Sequence, residues 1–215
     1  MNFPSNIKFK SVLIGTDINV VSNVEALSGK REIITGEISR KTISLSTVPL
    51  SESEDRQFQV FLNSIKYYGE FNLNLSDKGM FKPIVSTTQE EFDIVTASTL
   101  NQTQITIEQP DTNNLAIGVG SFVQFNNNAT NNVAKKLYQI TNITTDFEGV
   151  GGLDRYTITL DTPIRTSHTT GDKLYYNNLI GNFLIQEGNV NKSTSVLGAT
   201  GEQYVTYRFN LIEVL

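Results

Sequence analysis

Residues 41–75 read KTISLSTVPLSESEDRQFQVFLNSIKYYGEFNLNL, and the periodicities of this stretch decide the fold. Lys41-Thr42-Ile43-Ser44-Leu45-Ser46 alternates polar and apolar residues, so Ile43 and Leu45 share one face, as a half-buried strand requires. Past Pro49, Ser51 and Glu54 have the spacing of a capping box: the Ser51 hydroxyl can accept from the Glu54 N–H while the Glu54 carboxylate reaches back. Glu52, Glu54 and Asp55 also suit the positive end of a helix dipole. Phe58, Phe61, Leu62 and Ile65 then fall at i, i+3, i+4 and i+7, one apolar stripe, and Gly69 supplies a stop. The spacing predicts a helix over about 51–68 whose core face is that stripe, lying on a sheet. Phe71, Leu73 and Leu75 alternate with Asn72 and Asn74, which returns the chain to strand.

Working outward, the run from Phe9 to Leu27, the turn Ser28-Gly29-Lys30 and the run to Thr47 read as a hairpin. At the far end, Gln203 to Leu215 alternates again: Tyr204, Thr206, Arg208 and Asn210 face one way, Val205, Tyr207, Phe209 and Leu211 the other. This segment is expected to pair back into the first sheet. Between the two, a Ser/Thr/Gln stretch at 86–89 precedes a region of short strands and Asn-rich loops. Strands are expected at Thr103–Glu108, Ser121–Phe125, Lys136–Ile143, Arg155–Leu160 and Lys173–Tyr176, with glycine turns between them, which suggests a small barrel. The expected organisation is therefore one domain from 1–85 and 186–215, with a small β-barrel inserted at 86–185.

Composition points the same way. The chain holds 22 Asn and 24 Thr in 215 residues; Thr suits pleated surfaces and Asn suits turns, so this is a mainly β protein. It has 17 Lys and Arg against 22 Asp and Glu, a net charge of −5, and its cations are scattered, so no sequence-reading nucleic-acid site is expected. Without cysteine there is no disulfide framework, zinc ribbon, iron–sulfur cluster or thiol nucleophile, and the lone imidazole, His168, excludes a His-rich metal site. Apolar runs are short, and Met1-Asn2-Phe3-Pro4 has neither the charged nor the apolar part of a signal peptide, so a soluble chain is expected.

The search for chemistry yields little. His168 stands among hydroxyls in Arg165-Thr166-Ser167-His168-Thr169-Thr170, a polar loop, and is read as an exposed bystander. Gly118-Val119-Gly120 and Gly149-Val150-Gly151-Gly152 lack the remaining residues of a P-loop or dinucleotide motif and are read as turns. Asp146, Glu148 and Asp154 offer oxygens to a hard cation but miss the spacing of a calcium loop. Five N-x-S/T sequons, at Asn74, Asn101, Asn128, Asn142 and Asn191, are what the Asn, Ser and Thr content produces by chance. No catalytic residue, cofactor or metal is assigned, and an enzyme is the weaker reading.

Two stretches resemble a known family. The hairpin with Ser28-Gly29-Lys30 at its bend, Lys41-Thr42-Ile43-Ser44-Leu45, the capped helix around Phe58, Phe61 and Leu62, and Gly69-Glu70-Phe71-Asn72-Leu73 resemble the tube-like domain of bacteriophage distal tail proteins. Gly120-Ser121-Phe122-Val123, Lys136-Leu137-Tyr138-Gln139-Ile140, Arg155-Tyr156-Thr157-Ile158-Thr159-Leu160 and Gly171-Asp172-Lys173-Leu174 resemble the small barrels of phage tail and baseplate proteins. The resemblance implies a tail-tube-like β-sandwich with one flanking helix, carrying an inserted OB-like barrel (oligonucleotide/oligosaccharide-binding-like). It further implies a non-enzymatic virion protein, assembled in the host cytoplasm into a homo-oligomeric, hexameric ring. Such a ring joins the tail tube protein to the tail-tip or baseplate hub, and DNA passes its lumen without specific binding. The hairpin tip, Ser28, Gly29, Lys30 and Arg31, is the expected ring interface. Two alternatives stand beside this reading: another tail tube or baseplate component, and a carbohydrate-binding module with Tyr175-Tyr176 or Tyr138 as stacking faces and Asn-rich loops as hydrogen-bonding partners.

Overall fold

Alternating strands with one strongly amphipathic segment fold into a mainly β chain of two sheets and, among the described residues, a single α-helix. The structure, a computed structural model, describes residues 1–24, 31–75, 91–110, 115–126, 136–148, 153–177, 179–186, 190–197 and 202–214. In chain order the elements are β1 (Phe9–Val24), β2 (Arg31–Thr47), α1 (Glu52–Tyr68), β3 (Glu70–Asn74), β4 (Glu91–Ile94), β5 (Gln104–Pro110) and β6 (Phe122–Asn126). They continue with β7 (Tyr138–Glu148), β8 (Leu153–Leu160), β9 (Lys173–Tyr175), β10 (Ile180–Ile185), β11 (Asn191–Leu197) and β12 (Glu202–Glu213). Two compact units result: Met1–Phe71 with Phe183–Val214, and Asn72–Asn182.

The first sheet runs β1-β2-β12-β10-β3, with β11 added to the N-terminal half of β12. Its register follows from burial: Phe209 lies opposite Leu45 and Leu211 opposite Ile43, so the apolar sides of β2 and β12 meet. Against that face packs α1. Its N-terminus carries the capping box, the Ser51 N–H donating to Glu54 Oε2 at 2.9 Å and the Ser51 hydroxyl donating to the same oxygen at 2.8 Å. These bonds, the backbone one foremost, hold the Glu54 carboxyl below its ordinary value. Phe58, Phe61 and Ile65 are buried, and Leu62 is half-buried. Gly69 ends the helix at φ 73°, a backbone state that disfavours side chains, and its N–H closes on the Ile65 carbonyl at 2.7 Å. The core of this unit is aromatic: Phe58 lies 4.8 Å from Tyr207 and 5.6 Å from Phe209, and Phe3 reaches in to 5.1 Å from Phe61.

The second unit is a closed, all-antiparallel barrel of strand order β4-β5-β8-β7-β6-β9. The three-residue β9 closes it, pairing with β4 on one side and β6 on the other. Leu174, at the middle of β9, is buried in a core with Phe92, Ile107, Val123, Phe125 and Ile158. Here the structure departs from the sequence expectation, which found five strands and overlooked β4. The OB pattern has five strands in a partly open arrangement. Six strands in this order support a small closed barrel without singling out the OB topology.

Candidate functional site

The hairpin is longer than the sheet that carries it. β1 and β2 stay paired from Phe9↔Thr47 to Val24↔Arg31, whereas β12 accompanies β2 only from Ser46 to Thr42. Beyond Thr42, therefore, β1 and β2 run on as a two-stranded arm, paired only with each other among the described residues. Polar groups secure its root. Lys41 and Glu213 are both buried, at 1% and 0% exposure. The Lys41 N–H donates to Glu213 Oε2 at 3.1 Å, and Lys41 Nζ donates to Thr16 Oγ1 across the hairpin at 3.0 Å. β1 is also the outer strand of the sheet, so among the described residues its second edge is unpaired, and Leu13 on it is 72% exposed. Of the four residues expected at the ring interface, Ser28, Gly29 and Lys30 lie outside the described residues. Arg31 is described only as the first residue of β2, opposite Val24.

A second polar group locks α1 to the sheet. Asp55, in the first turn of the helix, accepts from the Tyr207 hydroxyl at 2.5 Å, from Gln59 Nε2 at 2.8 Å and from Lys192 Nζ at 3.1 Å. The Tyr207 N–H in turn donates to Thr47 Oγ1 at 3.0 Å. Burial alone would raise the Asp55 carboxyl, but the bonds from Tyr207, Lys192 and Gln59 outweigh it and hold the group below its ordinary value. Tyr207 is pushed up by burial and by its bond to Asp55, and Lys192 is pushed up chiefly by its bond to Asp55. At neutral pH the cluster is carboxylate, phenol and ammonium, each in the form its partners favour. The sequence reading used Asp55 only as a dipole partner. Its position at i−3 from Phe58, on the core stripe, was the available signal.

His168 is not the exposed bystander its polar neighbours suggested. It is 1% exposed, its ring stacked on Phe125 with centroids 4.0 Å apart, and its backbone pairs with Ser98. Thr166 Oγ1 lies 3.1 Å from Nε2, and Asp172 Oδ2 lies 3.6 Å from Nδ1. Burial pushes the imidazole below its ordinary value, against a smaller upward pull from Asp172. The backbone bridge to Ser98 draws this loop onto the barrel, and both partners are remote in sequence.

The tyrosines weighed as sugar platforms are committed elsewhere. Tyr176 stacks on Phe92 at 4.6 Å and Tyr138 packs edge-on to Phe125 at 5.2 Å, and both are buried; Tyr175 is half-buried. Asp146 accepts the Thr157 hydroxyl, and Asp154 accepts the Tyr156 hydroxyl at 3.4 Å. No group of three metal-binding side chains occurs among the described residues. What the geometry gathers is thus a sheet edge at β1, unpaired among the described residues, continued by a two-stranded arm. No protein-family model matches the chain, and no curated protein is similar to it.

Proposed function

We propose that this chain is a non-enzymatic, ring-forming structural protein of a phage tail, of the distal tail type, that joins the tail tube to the tip. The carrying observation is the arm formed by β1 and β2 beyond Thr42. A two-stranded ribbon is marginal in water by itself and needs a third strand or a packed face. The open edge of β1 offers N–H and C=O groups for that strand, and a second copy supplies one without any new element. A hexameric ring built through these edges and the Ser28–Arg31 tip leaves a central lumen for DNA, and the net charge of −5 favours passage over capture. The resemblance of the hairpin, of residues 41–45, of the capped helix and residues 69–73, and of the barrel strands to tail proteins supplies the virion context. The carbohydrate-binding alternative loses its stacking faces at Tyr138 and Tyr176, which are buried. Light scattering with negative-stain imaging tests the reading: rings with a central hole are expected, and a monomer at every concentration counts against it.

A further inference from the structure

The face of the first sheet opposite α1 is hollowed, and the hollow, about 780 Å³, is lined by hydroxyls, amides and cations on β1, β2, β12 and β11 together with the apolar Leu13, Leu45, Pro49 and Phe209. Among the described residues none of its lining is acidic, in a chain where acids outnumber bases 22 to 17. Strand register explains how the groups meet. Ser11 lies opposite Ser46, Ser46 opposite Arg208 and Arg208 opposite Asn191, so four hydrogen-bonding side chains form one row across four strands. The pairing jumps from Phe9↔Thr47 to Ser11↔Ser46, which leaves Lys10 as the extra residue of a β-bulge. A bulge re-aims its side chains, and Lys10 thereby joins the same lining as Ser11.

The donors of this hollow are not used up within the protein. Among the described residues Arg208 and Lys10 have neither an ion pair nor a side-chain hydrogen bond, unlike Lys192, which is held by Asp55. Ser46 is 8% exposed, and its hydroxyl likewise has no partner among the described residues. Asn210 receives the Ser44 hydroxyl on Oδ1 at 2.7 Å, which leaves its amide N–H groups to donate. Neighbouring strands lie about 4.8 Å apart, so Lys10 and Arg208, two strands from each other, can close on one group from opposite sides. An arginine fork, an ammonium and neutral donors without a competing carboxylate are the chemistry that recognises a tetrahedral oxyanion.

We propose that this hollow binds phosphate, as the free ion or as a phosphate ester, with Arg208 and Lys10 supplying the charge and Ser46 and Asn210 the neutral donors. The inference does not rest on ring formation. It adds one constraint to that reading: a face that holds phosphate does not line a DNA lumen.

The test is a titration of the full chain with inorganic phosphate at low ionic strength, followed by amide chemical shifts, with chloride at matched ionic strength as control. Saturable shifts centred on β1, β2, β11 and β12 are expected. Arg208→Gln should weaken binding about tenfold and Lys10→Gln about threefold, while Lys66→Gln, outside the hollow, changes nothing. Arg208→Lys, which keeps the charge without the fork, should fall between wild type and Arg208→Gln, and its unchanged spectrum guards against misfolding. Titrations with glycerol phosphate and with a short single-stranded oligonucleotide then separate the sources. Tighter binding of the oligonucleotide, steeply weakened by salt, assigns a phosphodiester; equal or tighter binding of the small phosphates assigns a free ion or monoester. Absence of saturable shifts, or an Arg208→Gln protein that binds as well as wild type, overturns the proposal.

Discussion

The barrel and the first sheet answer the same problem, unpaired strand edges, in opposite ways. In the barrel each strand from β4 to β9 has a neighbour on both sides, and β9 needs only three residues to complete the circle. Among the described residues the first sheet ends in open strands at β1 and β3, and its longest hairpin runs beyond the strand that supports it. Closure leaves the barrel with no edge to offer, so another chain must meet it through side chains and loops. The sheet exposes backbone donors and acceptors along β1, and these are generic, strong and suited to joining copies of one chain. The proposed ring formation therefore draws on the first unit rather than on the barrel.

The contrast can be broken at its cores first. Phe58→Ala empties the centre of the aromatic cluster and should cost the first unit about 3–5 kcal/mol. Phe92→Ala, which removes the ring stacked on Tyr176, should cost the barrel a similar amount. Denaturant titrations followed by unit-specific amide signals check both. If each change melts only its own unit, the units are energetically separate.

Next in size is the lock between α1 and the sheet. Asp55→Ala leaves the buried Tyr207 hydroxyl and Lys192 without their acceptor, and should destabilise the first unit by about 2–3 kcal/mol. The sign with pH follows from the direction of the shift. The folded-state value of Asp55 lies below 3.8, so its stabilisation is present above that pH and is lost as pH falls through the folded value. Asp55→Asn should flatten that acid limb in a stability profile measured by thermal melts.

The barrel has its own pH response, which sets in at a higher pH than that of Asp55. Because the folded His168 value lies below 6.5, the unfolded chain takes up the proton first, and barrel stability falls as pH drops from 6.5 toward the folded value. This loss is expected to be absent in His168→Gln, with the first unit unaffected, in thermal melts followed by barrel-specific signals. Smallest for the monomer is Leu13→Lys on the open edge. It should change monomer stability by less than about 0.5 kcal/mol, since Leu13 is exposed, yet block association, because a charge on an edge strand deters pairing.

Much of the first unit was legible in its sequence. The 51–68 helix announced itself by its cap, its stripe and Gly69, and β12 by an alternation long enough to outweigh chance. What escaped were elements without such a signal. β4 has four residues, β10 carries Gly181 and Asn182, and β11 reads Asn-Lys-Ser-Thr-Ser-Val-Leu, its described side chains exposed and without apolar alternation. Those strands exist because neighbours hold them, a long-range cause that local propensity does not record. His168 failed for the same reason: Phe125 and Ser98, which bury it, are remote in the chain. The phosphate hollow was equally hidden, since its row of donors exists only once β1, β2, β12 and β11 are in register.

The most direct measurement of the central claim is the mass of the purified chain in solution, by light scattering over a wide concentration range, for wild type and Leu13→Lys in parallel, with negative-stain images of each. Ring formation through the β1 edge predicts discrete six-copy particles with a central hole for wild type, and folded monomers for the variant. A wild-type chain that stays monomeric throughout, or a Leu13→Lys protein that forms the same rings, would contradict it.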